Sequence, residues 1–456
     1  MRPRQDDLHG GNFCLSEGPV LLMWRRAFLF LQRTEGRRDM VAERLRCRAC
    51  GRAYELAAAY VCEECLGPLE AELGALPDAA TFRARVERGP RTLWRYADLL
   101  PLPYDPAADL GAGLTPLLRA RNLGAALGLR RLYLKNDGCN PTWSFKDRVV
   151  TLGVAAARRF GFSVLACAST GNLANSVAAH AARAGMRAVV FVPRGLEAGK
   201  QVLSAVHGAT IVEVDGTYDD VNRLCAQVAD EYPWGFVNVN LRPYYSEGAK
   251  TLGYEVAEQL GWTLPDHVVV PLASGNLLLK IEKAFRELVT LGVVPPRPVR
   301  VHGAQPAGCA PIVAAYETGA EVVSPVRPQT LAHSLAIGIP ADGRYALEAI
   351  RRSGGAAVAV SDAEAVDAVH ALAEEEGIFT ETAGGVTLAA LRRLTAAGTF
   401  APDETVVVYL TGMGLKTQEA VQATLRPAVR VRATLSDIEA AVLPALEARA
   451  AAPVER

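Results

Sequence analysis

The most informative stretch of this sequence is Leu134-Lys135-Asn136-Asp137-Gly138-Cys139-Asn140-Pro141-Thr142-Trp143-Ser144-Phe145-Lys146-Asp147-Arg148. It contains the end of a strand, a polar turn and the start of a helix. A lysine in the first turn of a helix lies near the positive end of the helix dipole, and a cleft would remove part of its hydration. Both effects lower the pKa of Lys146, and a neutral amine can form a Schiff base with an aldehyde. Taken alone, however, the pattern favours a surface lysine paired with Asp147.

Three other strand-to-helix turns favour a binding site. Ser169-Thr170-Gly171-Asn172 follows a buried strand, and its N–H groups and hydroxyls could bind a carboxylate. Ala273-Ser274-Gly275-Asn276 could bind a phosphate in the same way. In Thr411-Gly412-Met413-Gly414-Leu415-Lys416, the threonine hydroxyl could face a ring nitrogen without protonating it. Each turn alone is typical of ordinary helix capping, but four on one chain indicate a shared site.

Beyond Leu114, short β-branched runs alternate with Ala-rich helical stretches. This pattern is typical of parallel α/β units, whose strands are buried on both faces. The predicted strands are Val164 to Ala168, Ala188 to Pro193, Ile211 to Val214, His267 to Leu272, Val299 to Ala304 and Thr405 to Leu410. The sequence therefore predicts an α/β protein with two domains built on open parallel sheets.

The predicted domain boundaries follow from these patterns. Residues 76–149 and 246–430 are assigned to a large domain, residues 150–245 to a small α/β domain, and residues 431–456 to a C-terminal helix or tail. Residues 41–75 form a small cysteine-containing domain. Residues 1–40 show no sustained periodicity. They are either a tail with a short accessory helix, or the true first residue of the protein is Met40.

Four of the nine cysteines form two C-x-x-C pairs, Cys47 with Cys50 and Cys62 with Cys65. Four thiolates at this spacing can complete a tetrahedral shell, and Zn²⁺ is the predicted metal of this zinc ribbon. Because protein ligands would fill all four positions, the zinc is expected to be structural. Two disulfides, which a reducing compartment disfavours, and a ribbon that has lost its role are the alternatives.

The composition excludes several classes of protein. The chain has 456 residues, with 49 Lys+Arg against 49 Asp+Glu, which argues against a nucleic-acid binder. Half of its residues are apolar, so it can bury sizeable cores. No recognisable signal peptide or bilayer-spanning stretch stands out, and the cytoplasm is the predicted location.

These motifs together resemble those of the threonine synthases, which are pyridoxal-phosphate enzymes of the tryptophan synthase β-like fold, known as fold type II. The resemblance extends from about Leu114 to Lys416, and the zinc-ribbon-like start also has counterparts in that family. The motifs that carry it are Asn140-Pro141-Thr142-x-Ser144-Phe145-Lys146-Asp147-Arg148, Ser169-Thr170-Gly171-Asn172, Glu247-Gly248-x-Lys250-Thr251 and Thr411-Gly412-x-Gly414-Leu415-Lys416.

The resemblance implies a role for each motif. Lys146, next to Phe145, would carry pyridoxal 5′-phosphate and shuttle protons. Asn172 would bond the ring hydroxyl oxygen, and Thr411 would face the pyridine nitrogen. The cofactor phosphate would be bound by the loop Ala273-Ser274-Gly275-Asn276-Leu277. The substrate would be bound by Ser169, Thr170, Arg242 and Lys250.

The implied reaction is that of a carbon–oxygen lyase, which converts O-phosphohomoserine and water to threonine and phosphate. Trp143 replaces a usual glycine, and Tyr245 stands where many relatives carry an arginine for the substrate phosphate; Arg242 could substitute or be a surface charge. The alternatives are therefore a cysteate synthase-like replacement on O-phosphoserine, a threonine or serine dehydratase, and a non-catalytic relative. The expected partner is a small amino-acid substrate, without nucleic acid or membrane, and the expected assembly is a homodimer.

The predictions for three further polar residues are less specific. Glu381 is predicted either to lie beside the ring or to cap a helix. His333 lies in a segment that often lines the site in relatives, but packing in the interior is the favoured prediction. His180 is predicted to lie on a helix surface without a function.

Overall fold

The computed structural model describes residues 40–169, 171–194, 198–216, 218–425 and 427–451. The predictions for residues 1–39 fall outside the described residues, and so does Thr170. Within the described ranges, no helix combines the length and the hydropathy that crossing a bilayer requires.

The strands of the described residues form three sheets. They are β1 (Ala42–Cys47), β2 (Ala53–Tyr54), β3 (Leu69–Leu73), β4 (Leu117–Arg119), β5 (Arg131–Asn136), β6 (Val164–Ala168), β7 (Arg187–Pro193), β8 (Thr210–Val214), β9 (Gly235–Phe236), β10 (His267–Pro271), β11 (Arg300–Pro306), β12 (Ala357–Val360) and β13 (Thr405–Leu410). The sheets have the orders β2-β1-β3, β12-β11-β10-β13-β5-β4 and β8-β7-β6-β9.

Helices connect and cover these strands. They are α1 (Ala79–Arg88), α2 (Arg121–Ala126), α3 (Lys146–Arg159), α4 (Asn172–Arg183), α5 (Ala198–Val206), α6 (Tyr218–Glu231), α7 (Arg242–Tyr245), α8 (Lys250–Gln259), α9 (Asn276–Thr290), α10 (Pro311–Glu317), α11 (Gly343–Ser353), α12 (Asp362–Glu376), α13 (Thr382–Ala396), α14 (Glu419–Gln422) and α15 (Leu435–Ala451). The helix α3, which starts at Lys146, packs against α4.

The two larger sheets confirm the predicted α/β class. All pairings in the four-stranded sheet are parallel. In the six-stranded sheet only the edge strand β4 runs antiparallel to its neighbour. β6, β10 and β13 are buried at every residue, which explains why each reads as one continuous, mostly apolar run.

The six-stranded sheet places three of the four predicted turns side by side. β13 lies between β10 and β5, and the three strands run parallel. The turns after these strands therefore leave the same carboxyl edge, where open α/β sheets bind their ligands. The fourth turn, at Asn172, follows β6 of the four-stranded sheet.

A buried group of charges lies beneath the lysine turn. The Arg148 guanidinium donates to Asp137 Oδ1 and to Glu255 Oε2, both at 2.8 Å, and Lys135 Nζ donates to Glu255 Oε2 at 2.6 Å. All four side chains are almost completely buried. They connect β5, α3 and α8, so they fix the position from which α3 begins.

The three-stranded sheet is the expected ribbon, and it shares one hydrophobic cluster with neighbouring helices. Leu45 and Leu69 of the ribbon belong to one buried cluster with Leu152 of α3 and Tyr244 of α7. The ribbon is therefore packed onto the elements that surround the lysine helix.

Candidate active site

Lys146 is the first residue of α3, and its amine lies close to the face of the preceding ring. The Nζ atom is 4.4 Å from the centre of the Phe145 ring. Burial lowers the pKa of Lys146 to about 8, although the nearby Glu381 carboxylate opposes this shift. A substantial fraction of this amine is therefore neutral near physiological pH, which is the form that condenses with an aldehyde.

Three segments are joined by backbone hydrogen bonds around this lysine. Phe145 N donates to Thr411 O at 2.9 Å, and Met413 N donates to Trp143 O at 3.0 Å. Glu381 N donates to the carbonyl of Gly412 at 3.0 Å. The lysine turn, the turn after β13 and the start of α13 thus form one rigid unit, in which the backbone fixes the side chains.

Glu381 lies at the centre of the site. Its carboxylate accepts from Asn172 Nδ2 at 2.7 Å and from the Thr411 hydroxyl at 2.9 Å. Burial raises the pKa of Glu381, and these two hydrogen bonds oppose the shift. The side chain makes no capping bond to α13. Of the two expectations for Glu381, the structure supports the position beside the predicted cofactor residues.

Lys416 is a second amine in the site, and the sequence pattern assigned it no role beyond membership of a motif. Its Nζ atom is buried without a hydrogen-bond partner among the described residues, and it lies 5.8 Å from the centre of the Trp143 ring. Burial lowers the pKa of Lys416 to about 8, and Glu381 and Asp147 oppose this shift. The available signal was its rarity, since only seven lysines occur in the chain.

The predicted phosphate loop lies where β10 meets α9. Gly275 has a φ of +95°, and an added Cβ would come within 3.0 Å of the Asp342 carbonyl oxygen, so only glycine fits. The 15-residue helix α9 begins at the next residue, Asn276, and its first N–H groups face this turn. A helix N-terminus of this kind binds anions such as phosphate.

The predicted substrate residues are placed in different surroundings. The Ser169 hydroxyl accepts from Gly171 N at 3.3 Å, beside Asn172. Arg242 Nη2 donates to Asp342 Oδ2 at 2.6 Å. Lys250 is fully buried, and its ammonium lies within 3.0 Å of Leu99 O, a Glu247 oxygen and a Glu287 oxygen. Contact between Lys250 and a substrate would require one of these interactions to break.

Two expectations about histidines are wrong. His180 is completely buried, and its Nε2 lies 3.1 Å from the Thr151 hydroxyl, because this face of α4 packs on α3. His333 is exposed in a short 3-10 helix.

The site fits pyridoxal phosphate. Lys146 offers an amine of lowered pKa, and the start of α9 offers N–H groups to a phosphate. The Ser144 and Thr382 hydroxyls on either side of the turn after β13 are buried without partners among the described residues, as expected where a polar ligand belongs.

The four cysteines also meet. Their Sγ atoms all lie within 4.8 Å of one another. The pairs Cys47–Cys65 and Cys50–Cys62 are 3.5 and 3.7 Å apart. These distances are close to the ~3.8 Å edge of a tetrahedron whose metal–sulfur bonds are ~2.3 Å long.

Comparison with known proteins identifies the class. A family model described as "Pyridoxal-phosphate dependent enzyme" matches residues 108–412. Fold and site therefore define a pyridoxal-phosphate-dependent enzyme. Threonine synthase from Methanocaldococcus jannaschii is 38% identical over 389 residues, covering 84% of this chain and 95% of the relative. Threonine synthase from Methanosarcina acetivorans is 36% identical over 404 residues, covering 87% and 98%. The chain belongs to the threonine synthase family.

Solved structures agree on the fold. Maize serine racemase superposes with a TM-score of 0.58 at 19% identity, covering 77% of this chain and 97% of that one. The processed form of threonine deaminase isoform 2 from Solanum lycopersicum gives a TM-score of 0.57 at 18% identity, covering 76% and 98%. At these identities the likeness concerns the fold alone.

Proposed function

We propose that this protein is a lyase that converts O-phosphohomoserine and water to threonine and phosphate, with pyridoxal phosphate held by Lys146. The observation that carries the proposal is the position of the Lys146 amine. It has a pKa of about 8 and lies in one hydrogen-bonded unit with Thr411 and Glu381. The name of the relatives, threonine synthase, supplies the product, and O-phosphohomoserine is the substrate that the motifs imply.

Different residues of the chain would bind different parts of the cofactor. Lys146 would bind its aldehyde carbon, and the backbone of the loop from Ala273 to Leu277 its phosphate. Asn172 would bind its ring hydroxyl oxygen. When bound, the cofactor supplies an electron sink for negative charge that develops on the substrate. When its amine is free, Lys146 would be the base that moves protons at Cα and Cβ of the substrate.

Thr411 and Glu381 would set the state of the ring nitrogen. In the structure the Thr411 hydroxyl donates to Glu381. A protonated Glu381 would instead donate to this hydroxyl, whose own hydrogen would then be free to point at the ring nitrogen. The raised pKa of Glu381 favours this state. A hydroxyl keeps the ring nitrogen unprotonated, which weakens the electron sink and favours elimination over transamination.

Substrate recognition requires groups for a carboxylate and a phosphate. We assign the carboxylate to Ser169 and Thr170. For the phosphate, Arg242 is paired with Asp342, whereas Lys416 is a buried cation without a partner among the described residues. We therefore propose Lys416 as the principal ligand of the leaving phosphate, with Arg242 at its edge.

Replacing Lys416 by methionine is expected to raise the KM for O-phosphohomoserine roughly tenfold to hundredfold, because a charge-assisted hydrogen bond to phosphate is lost. Steady-state kinetics measures this. In the wild type, kcat/KM should also fall as the pH rises past about 8, where Lys416 loses its charge. Lys416→Arg is the matched control, since its guanidinium stays charged and should remove this alkaline fall. An unchanged KM in the methionine variant would exclude the role.

The substrate is tested directly by mixing the pyridoxal-phosphate-loaded protein with O-phosphohomoserine and measuring phosphate and threonine. O-phosphoserine in a parallel reaction distinguishes the cysteate synthase-like alternative, because one methylene decides which compound fits. Failure to release both products from O-phosphohomoserine would remove the proposed reaction.

We further propose that the four cysteines bind one structural Zn²⁺. Elemental analysis should find about one zinc per chain in wild-type protein and in Cys139→Ser, a control outside the quartet. Cys50→Ser should lose the metal. It should also melt several degrees lower, because the ribbon shares a core with the lysine helix. Zinc retained in full by Cys50→Ser would contradict the assignment.

We also propose a cytoplasmic homodimer. Val322 and Ile339 are 73% and 75% exposed in a stretch before α11, and a dimer interface at this stretch would cover them. Light scattering on the purified protein measures the assembly.

A further inference from the structure

We propose that Arg48, within the first cysteine pair, is a positioning residue for the phosphate end of the substrate, and that it acts through Asp342 on Arg242. This inference rests on the proposed function, because it assumes a phosphorylated substrate. It gives the ribbon a role in the active site that the metal alone does not explain.

Asp342 is the junction of this arrangement. Its side chain is only 5% exposed, and it lies between two guanidinium groups. Arg242 Nη2 is 2.6 Å from Oδ2, and Arg48 Nη1 is 4.0 Å from Oδ1. Its backbone N–H also donates to the Ser274 carbonyl of the phosphate loop at 3.0 Å. The backbone of Asp342 is thus fixed on this loop, while its carboxylate links Arg48 to Arg242.

Arg48 is held firmly enough to act on Asp342. Its guanidinium lies 4.3 Å from the centre of the Tyr345 ring, on the helix that follows Asp342, and 3.7 Å from Glu70 Oε1 of β3. Its backbone N–H donates to Pro68 O at 3.0 Å, next to the second cysteine pair. Because Arg48 lies between Cys47 and Cys50, the fold of the knuckle decides where the guanidinium points.

Two further contacts join the ribbon to the same side of the site. Glu70 accepts from Lys280 of α9 at 2.7 Å, one turn after the phosphate loop. The Tyr244 hydroxyl of α7, two residues after Arg242, donates to Ala57 O at 3.0 Å. Together with the contact between Arg48 and Tyr345, the ribbon thus touches α7, α9 and α11. The lysine turn is instead bonded to the turn after β13. The ribbon should therefore affect the binding of phosphate more than the chemistry at Lys146.

The test uses Arg48→Met holoenzyme, which keeps the apolar stem of the side chain and removes its charge. Binding of inorganic phosphate, measured by calorimetry, should weaken roughly threefold to tenfold, and the KM for O-phosphohomoserine should rise equally. The kcat and the visible colour of the bound cofactor should stay within twofold of the wild type. Arg52→Met, which removes an exposed partner of Glu64 in the same ribbon, is the matched control and should change none of these.

Asp342→Asn should weaken phosphate binding in the same direction, and adding Arg48→Met to it should cause no further loss. An additive effect in the double variant, tighter phosphate binding in Asp342→Asn, or unchanged binding in Arg48→Met would each overturn the proposal. So would an equal loss of kcat and colour, which indicates general disruption, and so would holoenzyme that binds no phosphate. Because phosphate binding needs no turnover, a protein that makes no threonine but shows the expected changes in phosphate binding would exclude the proposed reaction and leave the role of Arg48 in phosphate binding standing.

Discussion

Replacing Lys146 by alanine is expected to abolish both the yellow colour of bound pyridoxal phosphate and the turnover of O-phosphohomoserine. In the proposed function this amine would bind the aldehyde carbon, and it would also be the base for each proton transfer. We expect kcat to fall roughly a thousandfold or more, since a positioned general base alone contributes about two to four orders of magnitude. Absorbance spectra and single-turnover assays measure the two effects.

Lys146→Arg is the matched control for this experiment. It keeps a positive charge at the start of α3 but cannot condense with an aldehyde. Both variants should be colourless and inactive, and both should keep the melting temperature of the cofactor-free wild type within a few degrees. Colour and activity that survive in Lys146→Ala would show that another residue holds the cofactor.

Of the substitutions proposed for this protein, Glu255→Gln should lower the free energy of unfolding most. The change leaves the buried Arg148 and Lys135 with one carboxylate, Asp137, in place of two. Removing one partner of a buried ion pair typically costs about 3–5 kcal/mol in the free energy of unfolding. Urea denaturation followed by circular dichroism measures the loss. The control is Glu72→Gln, which breaks a partly exposed pair with Arg46 and should cost less than ~1 kcal/mol.

The same carboxylate predicts how stability depends on acid. Burial alone would raise the pKa of Glu255, but Arg148 and Lys135 outweigh it and lower the pKa to about 2. Because the unfolded value is near ~4.3, Glu255 stabilises the fold fully above that pH, and its contribution is lost as the pH falls towards 2. Glu255→Gln should flatten this acid decline, and an unchanged acid profile would show that the decline has another origin.

The sequence was most informative where a residue's surroundings are local. The predicted bounds of Val164–Ala168 and Thr405–Leu410 match β6 and β13, because continuous burial makes such strands apolar throughout. For β11 the sequence predicts a start one residue too early and an end two residues too early. It ends in His302-Gly303-Ala304-Gln305-Pro306, where polar residues and proline hide the strand pattern.

The residues that the sequence could not assign are those whose roles depend on distant contacts. Glu381 meets Asn172 across 209 positions, and Arg242 meets Asp342 across 100. The pattern of residues around each position does not indicate which distant residue it will contact. The burial of Lys416 could not be predicted from the sequence either, since a lysine in a turn is normally solvated. Lys250 is the opposite case. Its motif assigned it to substrate binding, but in the fold its ammonium pairs with Glu247 and Glu287.

Borohydride reduction of the cofactor-loaded protein, followed by peptide mapping, tests the identity of the cofactor lysine most directly. Reduction fixes the cofactor to whichever of the seven lysines holds it. We predict one labelled peptide, carrying the mass of the reduced cofactor on Lys146. Label on Lys416, the other amine of lowered pKa in this site, or on no lysine at all, would contradict the assignment of the cofactor to Lys146.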